Sequence, residues 1–124
     1  MTITVQKRES EGPIPTEWRA TLHELVAVIV TGEYKFGKVP SGVVPLEENT
    51  IKQVSDYIDD YGCRLINLPE ESWETSVYNW QGACWELLVD LYTVEEGCSD
   101  MVLSLKVKES CGSYNFEVSS VYVP

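Results

Sequence analysis

Between Thr16 and Gly32 the apolar residues Trp18, Leu22, Leu25, Val26 and Ile29 recur at steps of three and four. That spacing predicts an amphipathic helix, with Thr16 as its N-cap, Glu17 in its first turn and Gly32 as its stop. Ala27, Val28 and Val30 fill the remaining positions of its second half, so that half is expected to lie deep against other elements. A glycine- and proline-rich stretch, "EYKFGKVPSGVVPLEEN", reads as a loop. The stripe Ile51, Val54, Tyr57 and Ile58 then predicts a second helix over 47–61, stopped by Gly62. From Cys63 the period changes to two. "CRLINLP" and "SWETSVYNW" read as short strands, and "ACWELLVDLYT", "MVLSLKVKES" and "SYNFEVSSVYV" as three longer ones.

Folding the chain about "VEEGCS" sets Val89 opposite Leu103, Leu87 opposite Leu105 and Glu86 opposite Lys106. Folding it about the "SCGS" turn sets Val107 opposite Phe116, Leu105 opposite Val118 and Lys106 opposite Glu117. Both hairpins agree on one apolar face, carrying Trp85, Leu87, Val89, Leu91, Met101, Leu103, Leu105, Val107, Phe116 and Val118. The other face carries Glu86, Asp90, Ser104, Lys106, Glu117 and Ser119 and is expected to meet water. The expected fold class is therefore α+β: two N-terminal helices packed on one face of a curved antiparallel β-meander of four to five strands. A single domain over 1–124 is expected, with 1–13 a loosely attached N-terminal arm.

Charge narrows the function. Twenty acidic against nine basic residues give a formal net charge of −11, which disfavours nucleic acid and anionic membrane surfaces and favours a basic partner. No apolar stretch approaches a membrane span and the opening residues lack the pattern of a secretory signal, so a cytoplasmic protein is expected. In that compartment Cys63, Cys84, Cys98 and Cys111 are expected as free thiols. They form no C-x-x-C pair, and with a single histidine, His23, no metal site and no cofactor are expected.

The most conspicuous candidate chemistry is the loop that places Glu95, Glu96 and Asp100 around Gly97. It lacks the alternating oxygen ligands of a calcium loop. Adjacent carboxylates in an extended chain point to opposite sides and cannot jointly flank a bond, so no catalytic residue is assigned. Read as a hairpin tip, the loop offers Glu95, Glu96 and Asp100 as contacts for a basic partner. Asp59 and Asp60 join them from the end of the second helix, where they oppose the helix dipole. Tyr78 and Trp80, before "QGA", are the aromatic residues expected at an interface.

At "WELLVDLYTVEEGCSDMVLSLKV", preceded by "LPEESWE" and the helix opening "EWRATLHELV", the chain resembles a family of small uncharacterised bacterial domain proteins. Their strand D-L-[WY]-T-x-E-E-G-x-S-D is followed by an alternating L-x-L strand, and the resemblance spans 17–123, most sharply 85–105. It implies a bacterial, self-contained α+β domain and carries no activity. In size, charge and architecture the chain is also similar to immunity proteins of bacterial toxin systems. That likeness implies a non-enzymatic acidic protein that neutralises a basic toxin such as a nuclease. The alternative is a small-ligand module or enzyme with a pocket between helices and sheet, lined by Trp18, Tyr57, Trp85 and Tyr114. Self-assembly through an uncovered edge strand is a third reading, which leaves monomer and dimer both open.

Overall fold

The apolar stripe of the first helix meets the sheet as its spacing requires. In the computed structural model, which describes residues 2–124, helix α1 spans Thr16–Thr31 and buries Trp18, Leu22, Leu25, Val26 and Ile29. It ends at Gly32, whose φ of +83° lies in the left-handed region that glycine enters without a Cβ clash. Two expectations fail here. Pro15, not Thr16, precedes the first turn, and Thr16 Oγ1 accepts a 2.7 Å hydrogen bond from the Ile3 N–H instead of capping its own helix. The second half is not enclosed either: Ala27 and Val28 are half-buried and Val30 is exposed, because in a two-layer fold only one side of the helix has a sheet to meet.

A short 3₁₀ turn, Glu33–Phe36, follows and leaves Phe36 85% exposed. Helix α2, Glu48–Tyr61, stops at Gly62 as predicted; only Val54 is fully buried, with Ile51, Tyr57, Ile58 and Tyr61 packed partly against the core. The chain then departs from expectation twice. Residues 63–69 form no strand of the sheet. They run beside the end of the third strand, with the Ile66 N–H donating to Tyr92 O and the Val94 N–H to Arg64 O, both at 2.9 Å. "SWETSVYNW" divides into a single helical turn α3, Ser72–Thr75, and a strand β2, Val77–Trp80.

Strands β3 (Trp85–Thr93), β4 (Gly97–Ser110) and β5 (Ser113–Tyr122) complete an antiparallel sheet whose first member, β1, is the two-residue Gly12–Pro13, in the order β1-β2-β3-β4-β5. The architecture is α+β. Leu87 faces Leu105, Val89 faces Leu103, Val107 faces Phe116, and Glu86, Lys106 and Glu117 form one cross-strand row, all in the predicted register. The ten apolar-face residues are buried. β4 starts four residues earlier than the sequence suggested, and irregularities between Asp90 and Tyr92 and between Ser104 and Leu105 absorb the mismatch. Of the polar face, Lys106, Glu117 and Ser119 are exposed but Ser104 is buried. Ser104 sits on the central strand between Leu88 and Ser120, and so small a side chain is shielded by its neighbours.

The core is densest around Trp18, which is 1% exposed and meets Tyr78, Trp85, Tyr114 and Phe116 edge to face at ring separations of 5.3–5.9 Å. Among the described residues Trp18 Nε1 is the one buried side-chain polar atom without a hydrogen-bond partner. Its electropositive edge lies instead among aromatic rings, a setting that compensates part of that loss.

Parts of the sheet edges are covered by other elements. Along β5, Val44 N donates to Phe116 O and Phe116 N to Gly42 O, each at 2.8 Å. The Gln53 side chain of α2 donates to Val121 O and accepts from Val121 N at 2.7 and 3.0 Å. Where β2 ends, two hydroxyls continue its role along β3: Ser76 Oγ accepts from Asp90 N at 2.9 Å and Ser72 Oγ donates to Asp90 O at 2.8 Å. Residues 2–13 are no loose arm. They are tied to the body by Trp80 N donating to Arg8 O, Trp85 Nε1 donating to Gln6 O and Gly12–Pro13 pairing with Tyr78 and Val77.

Candidate functional site

Of the five carboxylates singled out from sequence, Glu95, Glu96 and Asp100 gather at one pole of the molecule, where the β3–β4 tip meets the end of α2, whereas Asp59 faces Tyr34 beside the end of α1. Val94–Glu96 make the turn and Gly97 takes φ +70°, while the Glu96 N–H is held by Thr93 Oγ1 at 3.1 Å. Tyr61, in the last turn of α2, braces the tip from the helix side. Its hydroxyl donates to the Glu96 carboxylate at 2.6 Å and accepts from the Asp100 N–H at 3.2 Å. From the other side, Glu95 accepts the Arg64 N–H at 2.8 Å, with Arg64 Nε 3.7 Å from its second oxygen. Asp59 and Asp60 are exposed on the same last turn as Tyr61.

This geometry sets the electrostatics. The Arg64 backbone N–H, with the guanidinium behind it, holds Glu95 below the usual carboxylate value. The Glu96 carboxylate beside it keeps the Tyr61 phenol protonated to higher pH than an ordinary tyrosine. Cys63, next to this cluster, is pushed up by desolvation and by Glu96 and Glu95, which disfavours the thiolate that nucleophilic chemistry needs. Glu95 and Glu96 turn to different partners, so they present charge and do not enclose a reacting atom. Among the described residues no group of three or more His, Cys, Asp or Glu side chains is placed to hold a metal ion. Asp90, inside β3, is held through its backbone by Ser72 and Ser76 and not through its carboxylate.

Tyr78 and Trp80 do not join this pole. They pair with Leu87 and Trp85 at the start of β3, and nine strand residues at about 3.4 Å each put the tip roughly 30 Å away. Tyr78 is buried, its hydroxyl accepting from Gln6 N at 3.0 Å and lying 3.4 Å from Thr4 O. Trp80 is half-buried against Trp85, at 4.7 Å between ring centres, with Lys7 Nζ 5.1 Å from its ring. Their apolar bodies complete the core rim. The four residues expected to line a pocket do not do so. Trp18 and Trp85 fill the layer between helix and sheet, Tyr114 packs on both rings, and Tyr57 lies elsewhere, at the end of β5, where its hydroxyl accepts from Val123 N at 3.0 Å.

The braces Tyr61 and Arg64 were not picked out from sequence. Tyr61 continues the α2 stripe four residues after Tyr57, a signal that was present; nothing local marks Arg64. The model of a family described as "Domain of unknown function (DUF7668)" matches residues 26–124, and the chain belongs to that family. No curated protein and no solved structure matches the chain.

Proposed function

We propose that this family member is a non-enzymatic binding protein that takes a basic protein partner at the pole formed by Glu95, Glu96 and Asp100, with Asp59 and Asp60 in the last turn of α2. The observation that carries the reading is the bracing of the tip. Tyr61 and Arg64 hold the Glu96 and Glu95 carboxylates, and Tyr61 the Asp100 backbone, before any partner arrives, so little ordering cost remains on association. Val94, 57% exposed between them, adds an apolar contact to the acidic rim. With a net charge of −11 the whole molecule steers a cationic partner, and the association rate falls as salt rises. The specific form of this proposal is an immunity protein that neutralises a basic toxin such as a nuclease, in the cytoplasm of a bacterium.

The test compares the native chain with the triple variant Glu95→Gln, Glu96→Gln, Asp100→Asn, which removes charge and keeps hydrogen-bonding groups. Both are tagged, used as bait at low salt in an extract of the native host, and washed through a salt gradient. A specific basic protein retained by the native chain, released by salt and missed by the variant is the expected result. No such protein, or one held equally by the variant, overturns the proposal.

A further inference from the structure

The segment that sequence assigns to a loose arm encloses a cleft. Residues 3–16 form a loop whose ends meet: Ile3 N donates to Thr16 Oγ1 at 2.7 Å and Thr16 N to Ile3 O at 2.8 Å. Inside it lies a space of about 250 Å³. Along the segment, Thr2, Thr4, Gln6, Arg8 and Ser10 all line the cleft, with Tyr78 alongside them. This is the alternation of an extended chain, in which every second side chain faces the same way. Of the intervening residues, Val5 packs against the core and Lys7 lies over Trp80, while Ile3, where the loop closes, also borders the cleft.

The lining is unlike the rest of the surface. It holds four hydroxyl side chains, an amide and a guanidinium, and neither Glu9 nor Glu11 nor any other carboxylate, in a chain with 20 acidic residues. Arg8 forms no ion pair among the described residues, so its guanidinium is not already matched to a carboxylate of the chain. A forked guanidinium beside hydroxyl and amide donors is the donor set that recognises a carboxylate or phosphate oxygen pair. The volume is below that of drug-sized pockets, which suits a small group.

We infer that the N-terminal loop forms a binding site for a small oxyanion, a phosphate or carboxylate group, with Arg8 as its charged anchor and Thr4, Gln6 and Ser10 as hydrogen-bonding groups. The site is separate from the acidic pole and does not depend on the basic-partner reading. Because the Trp85 indole donates to Gln6 O at 2.9 Å, occupation of the cleft is reported by tryptophan fluorescence as well as by thermal stability.

The experiment titrates the full chain with sodium phosphate and, in a second arm, sodium acetate, each against sodium chloride of equal ionic strength, which removes the general screening effect on an acidic protein. A saturable rise in Tm and a saturable fluorescence change in one arm are expected. Arg8→Gln, a change at an exposed position that leaves the fold intact, is expected to weaken both by about tenfold or more. Phosphate alone, or acetate alone, names the source of the oxyanion. No saturable response beyond chloride in either arm, or an equal response in Arg8→Gln, overturns the inference.

Discussion

The two ends of strand β3 solve opposite problems. At its start, Trp85 lies against Trp18, Trp80 and Tyr114, ring on ring, with one of them 1% exposed on each side of the helix–sheet contact. At its finish, Glu95, Glu96 and Asp100 are exposed: Glu96 accepts from Tyr61, Glu95 from the Arg64 N–H, and the Asp100 N–H donates to the Tyr61 hydroxyl. The first end derives its order from buried apolar area; the second from a few polar contacts that leave the carboxylates facing water. The lesson is that surface charge can be positioned on a rigid strand without burying any of it. Buried packing and exposed charge are thereby kept at different ends of one strand.

Substitutions sharpen that contrast. Trp85→Ala removes the largest ring from the buried end and is expected to cost about 3–5 kcal/mol, read as the midpoint shift in urea unfolding. Tyr61→Phe keeps the ring and deletes the hydroxyl shared by Glu96 and the Asp100 N–H, so the expected loss is about 1–2 kcal/mol. A loss from Tyr61→Phe as large as that from Trp85→Ala would break the comparison. The smallest effect belongs to Glu95→Gln and is read most clearly in pH dependence. Glu95 has a folded value below its ordinary one, so its contribution is fully present above the ordinary glutamate range and is lost as pH falls through the folded value. The variant is expected to have a slightly lower Tm near neutrality and to converge with the native chain in that acid window, so that its Tm falls less steeply there.

Most of the sheet was legible before any coordinates, because two constraints pointed to one register. Apolar alternation chose the inner face, and the row Glu86, Lys106, Glu117 matched charges across three strands. Residues 63–69 misled because a β-rich segment can run beside a sheet, as Leu65 and Ile66 do beside β3, and form only an isolated bridge. "SWET" misled because Trp and Thr favour strands, while Ser72 and Ser76 spend their hydroxyls on the edge of β3. The N-terminal segment was illegible because most of its attachments join a backbone group on one side to a side chain on the other, which no periodicity records. For the acidic pole, the carboxylates were visible as residue types. Their braces were not, since Tyr61 and Arg64 reach the tip only once the helix and the hairpin are brought together.

Gln53 carries a consequence for the assembly of many copies. Its amide presents one donor and one acceptor to Val121, which is what a neighbouring peptide group would offer. A helix side chain thus acts as a terminator for strand addition, at the end of β5 that the loop at Gly42 and Val44 does not reach. Pairing of another copy's strand at that position is blocked by a single residue, and only while α2 stays docked to hold it there.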